Sequence, residues 1–289
     1  MAKTEDCSVI ILAHNGVEFT RICVDSLLKA DSLPSQLFLI DNGSTDDTPA
    51  FIQAVAPAVR ERGIEFVTWR NEENVGCSVA RNDGWSKAAG KYVVFMDNDT
   101  AVCTRNWLSV FRQAMADDVK LGILGARLIY PYKPHPIQCA GVSINRHGRI
   151  RFRGRGAARA DRRFAGMETV TALISACWIM RRGLFDEISG LDPAFHPVQY
   201  EDLDYCLRVN EAGYHCAYTA AVDIYHFESM TTASFGDETY LRTIARNSMT
   251  FRRRWHGVIQ EFGEDSDDYQ WAHVDSIQMT DELDLAMIP

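Results

Sequence analysis

The sequence predicts an α/β protein built on a mostly parallel, doubly wound central sheet, with helices on both faces and a mixed C-terminal half. Three observations predict it. Short apolar runs alternate with segments of helical periodicity through the first hundred residues. The runs are apolar at successive positions, as strands covered on both faces are. Polar clusters at Asn15, Asp41 and Asp97 follow the runs directly, on the rim where such sheets bind ligands, beyond the strand C-termini.

Residues 8–13 (Ser-Val-Ile-Ile-Leu-Ala) form the first strand. Residues 18–30 then place Phe19, Ile22, Cys23, Leu27 and Leu28 at helical spacing. A second strand, 37–40, ends at Asp41-Asn42-Gly43, and Asp46-Asp47-Thr48-Pro49 opens a helix, since carboxylates and proline suit a helix start. A third strand covers 64–69, and a third helix runs from 75 to 89 and closes at Gly90. The fourth strand, 91–96, stops at Asp97-Asn98-Asp99.

After residue 100 the pattern is mixed. A helix over 106–116 precedes strands near 121–129 and 137–144, a flexible Arg-rich loop, a long apolar strand at 170–180 and a short helix near 183–188. Tyr200-Glu201-Asp202-Leu203-Asp204 opens a helix that Gly213 closes. A short strand, 223–226, ends in His226, and residues 237–256 form a last Arg-rich helix. No repeat or linker interrupts the chain before about residue 260, so residues 1–259 read as one domain.

Composition narrows the function classes. The longest nearly apolar run, Val170 to Met180, is too short to span a bilayer, and the N-terminus carries no apolar signal region. Eight scattered cysteines without a Cys-x-x-Cys point to a reducing cytoplasm. The net charge of −9 lies in residues 260–289, which hold nine acids and no Lys or Arg. That tail reads as solvated and partly disordered, or as a docking segment using Tyr269, Trp271, Ile277, Met279, Leu283, Leu285 and Met287. Residues 146–163 carry eight arginines and one acid, Asp161; the loop is either simply solvated or touches phosphates of a substrate or an anionic membrane face. The neutral body offers no broad basic face, which argues against nucleic acid.

Asp97 and Asp99 at a strand end suit Mg²⁺ or Mn²⁺, which take carboxylate oxygens together with substrate phosphates. Alone, the same pattern also fits a turn or helix cap. Its context adds Ser-Val-Ile-Ile-Leu-Ala-His-Asn (8–15), Asp-Asn-Gly-Ser-Thr-Asp-Asp-Thr (41–48) and Asn-Val-Gly-Cys-Ser-Val-Ala-Arg-Asn (74–82). Gly-Leu-Asp-Pro-Ala-Phe (190–195), Tyr-Glu-Asp-Leu-Asp-Tyr-Cys-Leu-Arg (200–208) and His226 follow. With these motifs in this order, the chain resembles the inverting family 2 glycosyltransferases of the Rossmann-like GT-A fold over roughly residues 7–256. The later motifs are most similar to the rhamnosyltransferase-like branch.

The resemblance implies a nucleotide-binding half (7–100) and an acceptor-binding half (101–259). It implies a nucleotide-sugar donor (UDP-, GDP- or dTDP-linked) and a sugar, lipid-linked or other hydroxyl acceptor. Donor contacts then fall to Ala13, Asn15, Asp41, Asn74, Gly76, Arg81, Asp97 and Asn98. Asp41 can accept from a base N–H or ribose hydroxyl, or simply form the Asp-Asn-Gly turn. Gly76 allows close approach of backbone or ligand. Asp99 is the direct metal ligand, Asp97 holds ribose or metal-bound water, and His226 is implied as a further ligand. Asn98, where relatives carry a third acid, lowers the local negative charge. Asp202 is the base, carried over from the Glu-Asp motif, and the helix dipole favours its ionised form. Glu201 orients acceptor or loop, Asp204 caps or pairs elsewhere, and Trp178 and His196 line the acceptor side. A homo-oligomer and a peripheral site at the inner face of a membrane stay open. Two rival readings are a sugar nucleotidyltransferase, against which the first loop lacks basic residues, and a non-catalytic nucleotide-sugar binder. A dinucleotide oxidoreductase would need a Gly-x-Gly-x-x-Gly after the first strand, and none is present.

Overall fold

A computed structural model describes residues 3–228, 237–264, 276–280 and 283–284. Its first part alternates as expected: β1 (Lys3–Ala13), α1 (Val17–Lys29), β2 (Ser32–Asp41), α2 (Thr48–Glu61), β3 (Glu65–Arg70), α3 (Cys77–Lys87) and β4 (Tyr92–Asp97). Then come β5 (Thr100–Val102), α4 (Trp107–Asp117), β6 (Leu121–Ile129), β7 (Ile137–Cys139), β8 (Val142–Ile144) and β9 (Ile150–Phe152). The remainder is β10 (Met167–Val170), β11 (Cys177–Arg181), α5 (Leu184–Ile188), α6 (Glu201–Glu211), β12 (His215–His226), α7 (Asp237–Arg254) and α8 (His256–Gln260).

One sheet of ten strands carries the order β10-β12-β6-β11-β4-β1-β2-β3, with β5 on β12 and β7 on β6. β4, β1, β2 and β3 are parallel. β11 runs antiparallel to both β4 and β6, and β12 runs parallel to β6. The C-terminal ends of β1, β2, β4, β6 and β12 therefore share one rim. The reversed β11 presents its N-terminal end there, with Cys177 opposite Met96. Val9, Ile10 and Ile11 are all fully buried, so both faces of β1 are covered, as the unbroken apolar run required.

Two sequence expectations change. The apolar run 170–180 is not one strand: β10 pairs with β12, and β11 lies between β4 and β6. Hydrophobic runs report burial, and residues 171–176, mostly buried, run from beside the start of β12 back to the rim at Ser175 and Ala176 without forming a strand. The 137–144 stretch divides at Gly141, whose φ of +83° breaks the extended path and brings its Cα against Val170.

The Arg-rich stretch 146–163 is a folded segment, holding β9 and a 3₁₀ turn at Arg162–Phe164. Arg153 pairs with Glu168, Arg155 with Glu228, Arg159 with Asp223 and Arg163 with Asp161, so these charges tie the segment to the body and to itself. In the tail, Leu283 bridges to Tyr132, the Thr280 N–H donates to the Lys133 carbonyl at 2.9 Å, and Asp284 pairs with Lys133 at 3.1 Å. The described tail residues thus dock on the 131–133 turn of their own chain. Tyr269, Trp271, Leu285 and Met287 lie outside the described residues. All eight cysteines are free thiols. Among the described residues no helix is long and apolar enough to cross a membrane.

Candidate active site

A cavity of about 270 Å³ opens on the shared rim. His14, Asn42 and Asn74 line it from the loops after β1, β2 and β3; Arg81, Asp97, Asn98 and Asp99 line it from α3 and the end of β4. Ser175, Glu201, Asp202, His226 and Glu228 close the other side. Residues as distant in sequence as Leu12 and Tyr240 meet here because the parallel strands all point the same way.

The loops after β1, β2 and β3 are held together by side-chain amides. Asn42 Nδ2 donates to Asn74 Oδ1 at 2.9 Å, and Asn42 Oδ1 accepts from Asn71 Nδ2 and the Val75 N–H. Asn74 Oδ1 also accepts from the Gly76 N–H at 2.9 Å. Asn15 Oδ1 accepts from the Thr45 N–H at 2.7 Å, which fastens the first loop to the second. The Asp41 side chain turns into its own loop, accepting from the Ser44 N–H at 2.8 Å and facing Arg70 at 3.3 Å. Ala13 contributes its carbonyl to the Asn42 N–H. Ala13, Asn15 and Asp41 thus sit behind the cavity wall that Asn42 and Asn74 form. Asn42 was legible only as part of the Asp-Asn-Gly turn.

At the end of β4 the three residues separate. Arg81 is 1% exposed, stacks 5.1 Å from the Phe95 ring, donates to Ser175 Oγ at 2.6 Å and pairs with Asp97 Oδ1. Asn98 Nδ2 donates to the Asn15 carbonyl at 3.1 Å and to Thr20 Oγ1 at 2.9 Å. Its amide therefore ties β4 to α1, a role that a third carboxylate, with no proton to give, could not fill. Asp99 Oδ1 lies 3.5 Å from His226 Nε2. Burial pushes the His226 pKa down, but the Asp99 carboxylate outweighs it, and the net direction is up. Asp97, Asp99 and His226 each offer a ligand atom, all within 4.8 Å of one another, and two oxygens with one imidazole nitrogen suit Mn²⁺ or Mg²⁺. On the far side of the ring, His226 Nδ1 lies 2.6 Å from Gln138 Oε1. Nothing in the sequence pattern singled out Gln138.

The second acid cluster opens α6. Gln199 and Tyr200, both non-glycine residues, precede the helix with φ of 83° and 76°. Asn247 of α7, fully buried, steadies this strained corner by donating from Nδ2 to the carbonyls of Phe195, Val198 and Gln199. Asp202 accepts from the Leu203 N–H at 2.8 Å and the Ser175 N–H at 3.3 Å. Burial raises its carboxyl to a pKa of about 6, despite these two hydrogen bonds and the helix start. Burial thus outweighs the helix-start field that favours the ionised form. Glu201 is 3% exposed, its Oε2 has no hydrogen-bond partner, and burial with the Asp202 charge raises it to about 8. Asp204, fully buried, accepts from Arg208, Arg254 and the Trp255 indole, which makes it the structural acid.

Two expected acceptor-side residues are placed elsewhere. Trp178 is fully buried in β11, paired in register with Phe95 and Gly125 and 6.2 Å ring to ring from Phe95, so it is sheet core. His196 is exposed and packs on Gly76: a Cβ there would lie 2.5 Å from His196 Nδ1, and Gly76 has φ of +85°. The close approach at Gly76 is thus made by His196 of the same chain.

Residues 8–189 match the family described as Glycosyl transferase family 2. The uncharacterized protein y4gI of Sinorhizobium fredii is 28% identical over 262 residues, covering 88% of this chain and 28% of that protein. The O-antigen biosynthesis protein RfbC of Myxococcus xanthus is 28% identical over 236 residues, covering 78% of this chain and 18% of that protein. The chain spans less than a third of the length of either relative. Among solved structures, GalNAc-T7 with UDP, GalNAc and Mn²⁺ superposes with a TM-score of 0.62 at 17% identity, covering 76% of this chain and 42% of the other. The mannosyltransferase PcManGT of Pyrobaculum calidifontis, in complex with GDP-Man and Mn²⁺, gives 0.60 at 14%, covering 88% and 68%. These likenesses show the GT-A fold.

Proposed function

The chain belongs to glycosyl transferase family 2, and we propose that it transfers a sugar, with inversion and with a divalent ion, from a nucleotide-sugar donor to an acceptor hydroxyl in glycan or glycoconjugate synthesis. The observation that carries this reading is one cavity lined both by a metal-competent triad and by an acid with a pKa near neutrality. Asp99 and His226 would hold the ion, with Asp97 sharing its carboxylate between the ion and Arg81. Mg²⁺ or Mn²⁺ bound there supplies charge to stabilise the departing diphosphate.

Asp202 takes the proton of the acceptor hydroxyl as its oxygen bonds to the anomeric carbon and the bond to the diphosphate breaks. A pKa of about 6 leaves Asp202 mostly ionised at pH 7 while keeping it basic enough to accept. Glu201, neutral at that pH, donates to a sugar hydroxyl. Asn42 and Asn74 present amides toward the nucleotide, and Asn15 and Asp41 support them from behind. Phosphate-bearing or lipid-linked acceptors meeting the 146–163 segment belong to the same proposal: Arg151→Ala with Arg162→Ala lowers their use, and unchanged use removes that part.

Thermal-shift measurements with UDP-, GDP- and dTDP-sugars, with and without Mn²⁺, test the reading. One nucleotide class raises Tm by several degrees only when Mn²⁺ is present. No shift with any donor and Mn²⁺ overturns it, and ion-independent donor binding leaves a nucleotide-sugar binder.

A further inference from the structure

We infer that Gln138 is the positioning residue that makes His226 a metal ligand, by holding its ring in the tautomer whose bare Nε2 faces Asp99. This rests on the metal-site reading above.

Gln138 sits in β7, which pairs with the last residues of β6 and so brings Gln138 to the rim beside the end of β12. It is fully buried. Its amide makes two contacts with one residue: Nε2 donates to the His226 carbonyl at 3.2 Å, and Oε1 lies 2.6 Å from His226 Nδ1. These contacts assign the protons without further assumption. A backbone carbonyl only accepts, so the NH₂ end of the amide must face it. That leaves Oε1 toward the ring, and Oε1 also only accepts, so Nδ1 carries the hydrogen. In the neutral ring Nε2 is then the lone-pair nitrogen, and it lies 3.5 Å from Asp99 Oδ1. With the hydrogen on Nε2, the ring would present a donor to the site and could not coordinate. The second contact, to the carbonyl of the same residue, fixes the amide's own orientation and stops it flipping to the wrong end. Outer partners of this kind typically change metal affinity 10–100-fold when removed.

The test uses the metal-free protein titrated with Mn²⁺ alone, with free Mn²⁺ read by electron paramagnetic resonance. Gln138→Leu removes both contacts and weakens Mn²⁺ binding about 10–100-fold. Gln138→Glu keeps an acceptor for the Nδ1 hydrogen and binds Mn²⁺ at least as tightly as the native protein, although burying a charge lowers its Tm. A merely structural Gln138 gives the other result: Mn²⁺ affinity unchanged in Gln138→Leu, or lost equally in both variants. A second measurement stands apart from metal binding. Histidine ¹⁵N spectra of the metal-free native protein, at a pH where the ring is neutral, show His226 protonated on Nδ1; protonation on Nε2 overturns the inference. If the native protein binds no Mn²⁺ yet shows the Nδ1–H tautomer, and Gln138→Leu loses it, the metal reading fails while the placement by Gln138 stands.

Discussion

At the end of β4, Asp97 meets the Arg81 guanidinium and Asp99 meets His226 at 3.5 Å. At the start of α6, Glu201 has a buried Oε2 without a partner, and Asp202 accepts from backbone N–H groups. Both clusters line one cavity, and both are acids at an element terminus. They differ in their direct partners. Asp97 and Asp99 each face a cation or imidazole within ion-pair distance, an arrangement suited to metal ligation, although burial still raises Asp97. Glu201 and Asp202 have no ion pair of their own, burial raises them to about 8 and about 6 against the more distant Arg81 charge, and acids in that range suit proton transfer. Asp204, three residues from Glu201, marks the far limit. Two arginines and an indole satisfy it completely, and it becomes part of the core.

The largest expected effect breaks the α6 side of this comparison. Asp202→Asn keeps the shape and the contact from the Leu203 N–H, but its NH₂ end cannot accept from the Ser175 N–H, and the proton acceptor is gone. Transfer falls by about 10³-fold, roughly 4 kcal/mol in barrier, with donor affinity unchanged. Most turnover surviving in that variant would sink the base assignment. Asp204→Asn has the next largest effect, and on stability rather than turnover. It leaves Arg208 and Arg254 without their shared buried partner and costs about 3 kcal/mol, measured by denaturant unfolding. A wild-type unfolding curve combined with lost activity would instead place Asp204 in the chemistry.

On the β4 side, Asn98→Asp places a third acid between Asp97 and Asp99. It loses the donor contacts to Asn15 and Thr20, and stability falls by about 1–3 kcal/mol. A gain in Mn²⁺ affinity without loss of stability would show that position 98 faces the metal. The smallest effect is on pH dependence. With Asp202 as the proposed base, which acts ionised, turnover rises with pH through about 6. Glu201 has a folded pKa raised to about 8, so its neutral form stabilises the fold at low pH, and that contribution is lost as pH rises through about 8. Between pH 4.5 and about 8, Tm of the native protein therefore falls more steeply than that of Glu201→Gln, and above that the two run parallel; parallel curves over the whole range would mean Glu201 is ionised throughout.

Legibility follows the same division. The strands and helices of the first hundred residues can be read because each buried strand must be apolar along its length. The rim positions Asn15, Asp41 and Asp97 then follow from strand ends alone. Past residue 100 the antiparallel β11 breaks that rule. Residues 170–180 look like one strand because burial, not extension, sets their composition. Trp178 looked like a pocket aromatic because no sequence pattern tells which way a residue of a fully buried strand faces; its register with Phe95 and Gly125 decides it. Gln138 and Asn247 carried no signal at all, since a lone amide is ordinary in any sequence. Their roles exist only where β7 meets β12 and where α7 crosses the loop before α6.

Periodicity and strand ends are local properties, so the α/β class, the ligand rim and the residue types that line it are readable from the chain before it folds. How each acid is buried and paired is readable only in the folded chain, because the partners are distant in sequence: Arg81 for Asp97, His226 for Asp99, Arg254 for Asp204.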